Sequence, residues 1–91
     1  MTKYKIVYVK EKIGNGFIGM NWYAAKELHI KFPYSKHTIL IWKDFDKKRM
    51  RRTIQHEKVE IELMRRGMKY DRAHAVSNIL EDYSRVHIVG P

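Results

Sequence analysis

The chain contains no cysteine. Disulfide staples and thiolate metal sites are thereby excluded, and any metal has to be held by histidine and carboxylate. Proline is almost absent, and only Pro33 interrupts the body of the chain. No apolar run approaches the roughly 18 residues of a membrane span, and the first residues lack the apolar stretch of a signal peptide. The expected location is therefore cytoplasmic, with no membrane partner. Acidic residues are also scarce, at 10 against 19 basic ones, which gives a formal net charge of +9. Such a surplus favours polyanions such as nucleic acid, and it equally fits a solvated basic surface. Glutamine is rare beside Lys, Arg, Glu, Ile and Tyr, a balance that leans towards a thermophile.

What is present suffices for one small core. Residues 1–91 form a single domain, with 44% hydrophobic residues, two Trp, six Tyr and three Phe. Lys3 to Lys10 alternates Tyr4, Ile6 and Tyr8 with Lys5, Val7 and Val9 and is expected to be a strand. The segment Ile13 to Gly19 is rich in glycine and irregular. It has neither G-x-G-x-x-G spacing nor a Lys-Ser/Thr ending, so its glycines serve turns rather than phosphate. Asn21 is placed to cap a short helix over Trp22 to Leu28. Thr38 to Trp42 is a second, strongly apolar strand.

Asp44 or Asp46 caps a helix from about Lys47 to Arg66, closed by Gly67, and Asp71 caps another running to about Ser84. Residues 85–89 are expected to form a short last strand. The few residues between the two helices imply an antiparallel hairpin. The fold class is therefore α+β, a small sheet packed on one face by a C-terminal helical hairpin.

At about 100° per residue, Met50, Ile54, Ile61 and Met64 form one apolar arc of the first long helix, and Val59 and Leu63 a second. His56, Glu57 and Glu60 lie between these arcs, where ionisable groups are costly unless paired or bound to a cation. On the next helix, Ala73, Val76, Leu80 and Tyr83 make the apolar face, with His74 and Glu81 at its border two turns apart. Two His and one Glu are a ligand set for catalytic zinc, which keeps one position open for water. The expected ligands are His56, Glu60 and His74, with Glu57 as general base. Glu81 is expected as a fourth ligand or as a group that orients a histidine.

The run His56-Glu57-Lys58-Val59-Glu60 resembles the active-site helix of the zincin metallopeptidases, whose motif is H-E-x-x-H with a third ligand further along. The likeness spans residues 38–82 and implies a minimal zincin-like fold acting on a peptide substrate. It also implies that Ile39-Leu40-Ile41-Trp42 runs as the sheet edge beside that peptide. Glu60 stands where the family has its second His, and an oxygen ligand also suits manganese or iron. The wider run, with Leu63, Gly67, Tyr70 and Ala73-His74, resembles small uncharacterised proteins of archaea and their viruses.

Two other readings come from different residues. Lys47, Lys48, Arg49, Arg51 and Arg52 form a dense basic run at the start of a helix, as a nucleic-acid-binding module without catalysis would have. Basic residues there oppose the helix dipole, and contact with phosphate would explain them. Alternatively, Trp22, Trp42 and the methionines are candidates for a homodimer interface. His29, His37 and His87 have no partner at ligand spacing and are expected to be structural or exposed.

Overall fold

A computed structural model describes residues 3–44 and 46–87, with backbone alone for 83–87. Its elements are β1 (Lys5–Val9), β2 (Gly19–Asn21), α1 (Trp22–Glu27), β3 (Thr38–Trp42), α2 (Lys47–Arg65) and α3 (Tyr70–His87). The sheet order is β1-β3-β2, with β3 parallel to β1 and antiparallel to β2. The α+β class holds. The apolar segment at 39–42, expected at the sheet edge, lies in the central strand. Ile39, Leu40 and Ile41 are all buried, because a strand paired on both sides and covered on both faces reads as continuous apolar sequence.

The two faces of β3 meet different partners. Ile39 and Ile41 pack on Ile61 of α2, with Ile6, Met50 and Ile54 around them. Leu40 packs on Met20, Ala24, Ala25 and Ile13, flanked by Val7 and Val9 of β1. β2 arises where an irregular segment was expected. Three residues are too few to show a period, and Gly19 is the position that matters. A Cβ there would meet Thr53 Cγ2 at 2.7 Å, so only glycine lets α2 lie this close to the strand.

Asp46, not Asp44, caps α2, its Oδ1 accepting from the amides of Lys48 and Arg49 at 3.0 and 3.1 Å. Gly67 ends the helix in the left-handed region at φ 103°, where the amides of Gly67 and Met68 donate to the carbonyls of Met64 and Leu63. That turn sends α3 back along α2, so positions later in α2 meet positions earlier in α3.

The inner stripe of α3 keeps Ala73 of the apolar face expected for it and departs from that face at Ser77 and Leu80. Ala73 and Ser77 are buried while Leu80 is 47% exposed. Small residues at the contact allow the close approach of the helices, and Ser77 Oγ donates to the carbonyl of His56 at 3.3 Å. Nor do residues 85–87 form a strand, since α3 continues through His87 and no Gly or Pro interrupts residues 70–87. Residues 88 and 89 lie outside the described residues. Among the described residues, no helix is long and apolar enough to cross a membrane.

Candidate metal centre

A cleft of about 360 Å³ opens between α2, α3 and the start of β2. Its α2 wall is Arg49, Arg52, Thr53, His56, Glu57 and Glu60, a single stripe at spacings of three and four. The α3 wall is Tyr70, His74, Asn78 and Glu81, spaced in the same way. Both helices thus turn a polar stripe inward, and the hairpin brings the two together.

His56, Glu60 and His74 converge at the cleft floor, and their ligand-type atoms form a group that can hold a metal ion. His56 Nε2 and His74 Nδ1 lie 2.8 and 2.9 Å from Glu60 Oε2 and 3.2 Å from each other. Ligand atoms about 2 Å from one ion are separated by about 2.9 Å at octahedral and about 3.3 Å at tetrahedral angles. The observed triangle matches these edges, so His56, Glu60 and His74 are spaced as residues that would hold an ion.

Glu81 does not share this triangle. Its Oε1 lies 3.1 Å from His56 Nδ1, on the opposite side of the ring. A carboxylate there draws the ring proton to Nδ1 and leaves the lone pair of Nε2 facing Glu60 and His74. With His74 Nδ1 also unprotonated, three acceptor atoms meet at one point, where a proton or a cation would reconcile them.

Glu60 is 1% exposed, and Glu57 is buried beside it. Asn21 serves both. Its Oδ1 caps α1 by accepting from the amide of Ala24, which points its Nδ2 at Glu57 Oε1 (2.9 Å) and Glu60 Oε1 (3.1 Å). Burial, and then the charge of Glu60, push the Glu57 carboxyl up to about 8, while the Asn21 hydrogen bond and His56 oppose the rise. Burial works against a charged His56. Its hydrogen bond to Glu60 and the charges of Glu57, Glu60 and Glu81 outweigh that, so its pKa is raised above 6.5. Burial, followed by the nearby glutamates, pushes Tyr70 up to about 12, so its hydroxyl keeps its proton. That hydroxyl lies 3.4 Å from His74 Nδ1, and the two rings stack.

All five residues expected at the site therefore line one cleft, with three forming the ligand group. Asn21 and Tyr70 were missed as site residues. Asn21 was legible as a cap, but a cap uses only its oxygen, and the fate of its amide hydrogens depends on a helix 36 residues away. Of the basic run, Lys47, Lys48, Arg49 and Arg51 are exposed, while Arg49 and the half-buried Arg52 line the cleft. His29 and His37 are exposed, as expected, and the side chain of His87 lies outside the description. Trp22 is flanked by Lys26 and Lys36, and Trp42 by Lys12 and Arg49.

No protein-family model matches the chain, and neither a curated protein nor a solved structure shows significant similarity to it.

Proposed function

We propose that His56 Nε2, Glu60 Oε2 and His74 Nδ1 hold a divalent metal ion and that the cleft is a minimal metal-dependent hydrolase. Zinc is the first candidate, because two imidazoles and a carboxylate leave a fourth position for water, with manganese and iron next. The observation that carries this reading is the Glu81–His56 contact. It aims the Nε2 lone pair at the point where two further ligand atoms converge.

The zincin-like reading assigns each remaining group a task. Glu57, one residue past the first ligand, takes the proton from water in its ionised form, which the charge of a bound cation would favour over the protonated form that burial favours without one. Asn21 orients Glu57 and Glu60 by donating to both. Tyr70 supplies a hydroxyl donor at the cleft wall for charge that develops on substrate oxygen. A bound cation would supply Lewis acidity and lower the pKa of water.

The rival occupant of the triangle is a proton, which would make the group a buried His–Glu pair with no chemistry. Elemental analysis after reconstitution with zinc, manganese or iron separates the two. About one ion per chain is expected, and less than about a tenth defeats the metal reading. Glu81→Gln should weaken metal affinity about 10- to 100-fold. His56→Ala should abolish metal binding and hydrolysis together, whereas Glu57→Gln should retain the ion and lose hydrolysis. Undiminished turnover in Glu57→Gln removes the general-base role.

A further inference from the structure

Resting on the metal-hydrolase reading, we propose that the substrate of the cleft is the phosphodiester backbone of single-stranded nucleic acid, seated by Arg52 and Arg49. Both arginines belong to the stripe that carries His56 and Glu60. Arg52 is one turn before His56 and Arg49 about two turns before it, so guanidinium groups and ligand group share one wall of the cleft.

The acids of the cleft do not neutralise these cations. Glu57 and Glu60 are taken by Asn21 and the histidines, and Glu81 by His56. Arg49 pairs through Nε with Asp44 Oδ2 at 3.1 Å, and Asp44 is not among the residues that line the cleft. Arg52 makes no hydrogen bond or ion pair among the described residues, and its interaction with Asp46 is only through space. A half-buried arginine with no carboxylate in contact, beside a floor that can hold a cation, is a seat for an anionic substrate.

The anion is a repeating one. A peptide carboxylate would use one of these cations. The exposed Lys47, Lys48 and Arg51 continue the charge from Arg49 and Arg52 onto the surrounding surface, and no acid falls between residues 47 and 56. Cations in the first turns of a helix oppose its dipole, so helix stability does not explain them, whereas successive phosphates do. The cleft floor lies between two helices, which favours a single strand over the stiff duplex.

In the hydrolysis this implies, water oxygen bonds to phosphorus and the P–O ester bond to one sugar breaks. One water proton ends on the leaving sugar oxygen, and the other passes through Glu57 to solvent. The products are a phosphate monoester and a free hydroxyl.

The test uses the full chain, reconstituted with zinc, manganese or iron, a fluorescein-labelled twelve-nucleotide oligothymidylate and fluorescein-labelled casein. Anisotropy should show oligothymidylate binding that weakens with salt. Arg49→Gln/Arg52→Gln should lower affinity at least about tenfold and reduce the log–log salt slope by about 1.4, at about 0.7 per phosphate contact. Arg52→Gln alone should move both in the same direction. Lys31→Gln, away from the cleft, should move neither. The metal-loaded protein should convert the oligonucleotide to shorter products ending in a phosphate monoester, read by mass, and Glu57→Gln should bind it without cleaving it. Metal uptake with casein cut and oligothymidylate intact overturns the substrate and spares the hydrolase. So does oligonucleotide binding that is indifferent to both arginines. Binding through the arginines with no cleavage under any of the three metals also overturns the inference. Failure to take up metal overturns both readings.

Discussion

Two neighbouring stripes of α2 both turn away from water and are opposite in chemistry. Ile54 and Ile61 face Ile39 and Ile41 of the sheet, whereas Thr53, His56, Glu57 and Glu60 face β2 and α3. Ile61 is 2% exposed and Glu60, beside it, 1%. The first stripe gains from leaving water and needs nothing else. The second loses hydration and recovers it only through Asn21, shared protons or a cation. One helix thus carries a surface that holds the fold and a surface the fold has to hold.

The sharpest way to break this contrast is to damage each stripe and vary the conditions. Ile61→Ala should lower the unfolding free energy by about 2–5 kcal/mol, through lost burial and the cavity left behind. The loss, measured by urea unfolding, should be the same with chelator or saturating metal and at pH 5 or 8. A loss that metal rescues would show that the apolar stripe serves the site rather than the fold.

Asn21→Asp comes next. It keeps the oxygen that caps α1 and replaces the amide donor shared by two glutamates with a third carboxylate. Stability should fall by about 2–4 kcal/mol in chelator, because two buried acceptors lose their donor and gain a repulsion. Saturating metal should recover part of this. An equal deficit in Asn21→Asp and Asn21→Ser, which keeps the cap alone, would show that no repulsion arises.

A smaller effect distinguishes the stripes by pH. The folded pKa of Glu57, about 8, lies above its ordinary 4.5, so between those values the native state holds a proton that the unfolded state releases. Its contribution to stability is complete below about 4.5 and is lost as pH rises towards 8. His56, raised above 6.5, acts in the same direction. The basic chain repels itself less at high pH, which masks the trend, so the useful quantity is wild type minus Glu57→Gln in chelator. That difference should move against wild type by on the order of 2 kcal/mol between pH 5 and 8. A difference that is flat across this range would show that Glu57 ionises without penalty.

Much of this was legible beforehand, for physical reasons. A helix of 19 residues repeats its pattern often enough to reveal its stripes, and Asp46 and Gly67 mark its ends with side-chain and backbone chemistry that is local. His56, Glu60 and His74 were readable because four residues is one turn and a short turn returns the next helix. What escaped depends on contacts far apart in sequence. β2 has three residues and exists because β3 offers it a partner. The second task of Asn21 depends on α2, and the place of β3 in the sheet depends on which strand pairs beyond it. The segment 85–89, expected as a strand, holds β-branched residues at 86, 88 and 89, a local preference that helix continuation overrides through residue 87.

The outer face of α3 gives the smallest effect and checks the other side of the contrast. Leu80 was expected to point inward, yet it is 47% exposed, and Ile79 beside it is 67% exposed, while Ala73 and Ser77 take the buried positions. If small residues set the approach of α3 to α2, the large ones contribute little to the monomer. Ile79→Gln should therefore change unfolding free energy by no more than about 0.5 kcal/mol and leave metal affinity unchanged. Ser77→Leu should separate the helices and weaken both, since Ser77 is buried against the carbonyl of His56 itself. An Ile79 variant that destabilised as much as Ser77→Leu would show that Ile79 belongs to the packing face of α3 and would remove the geometric basis of the ligand triangle.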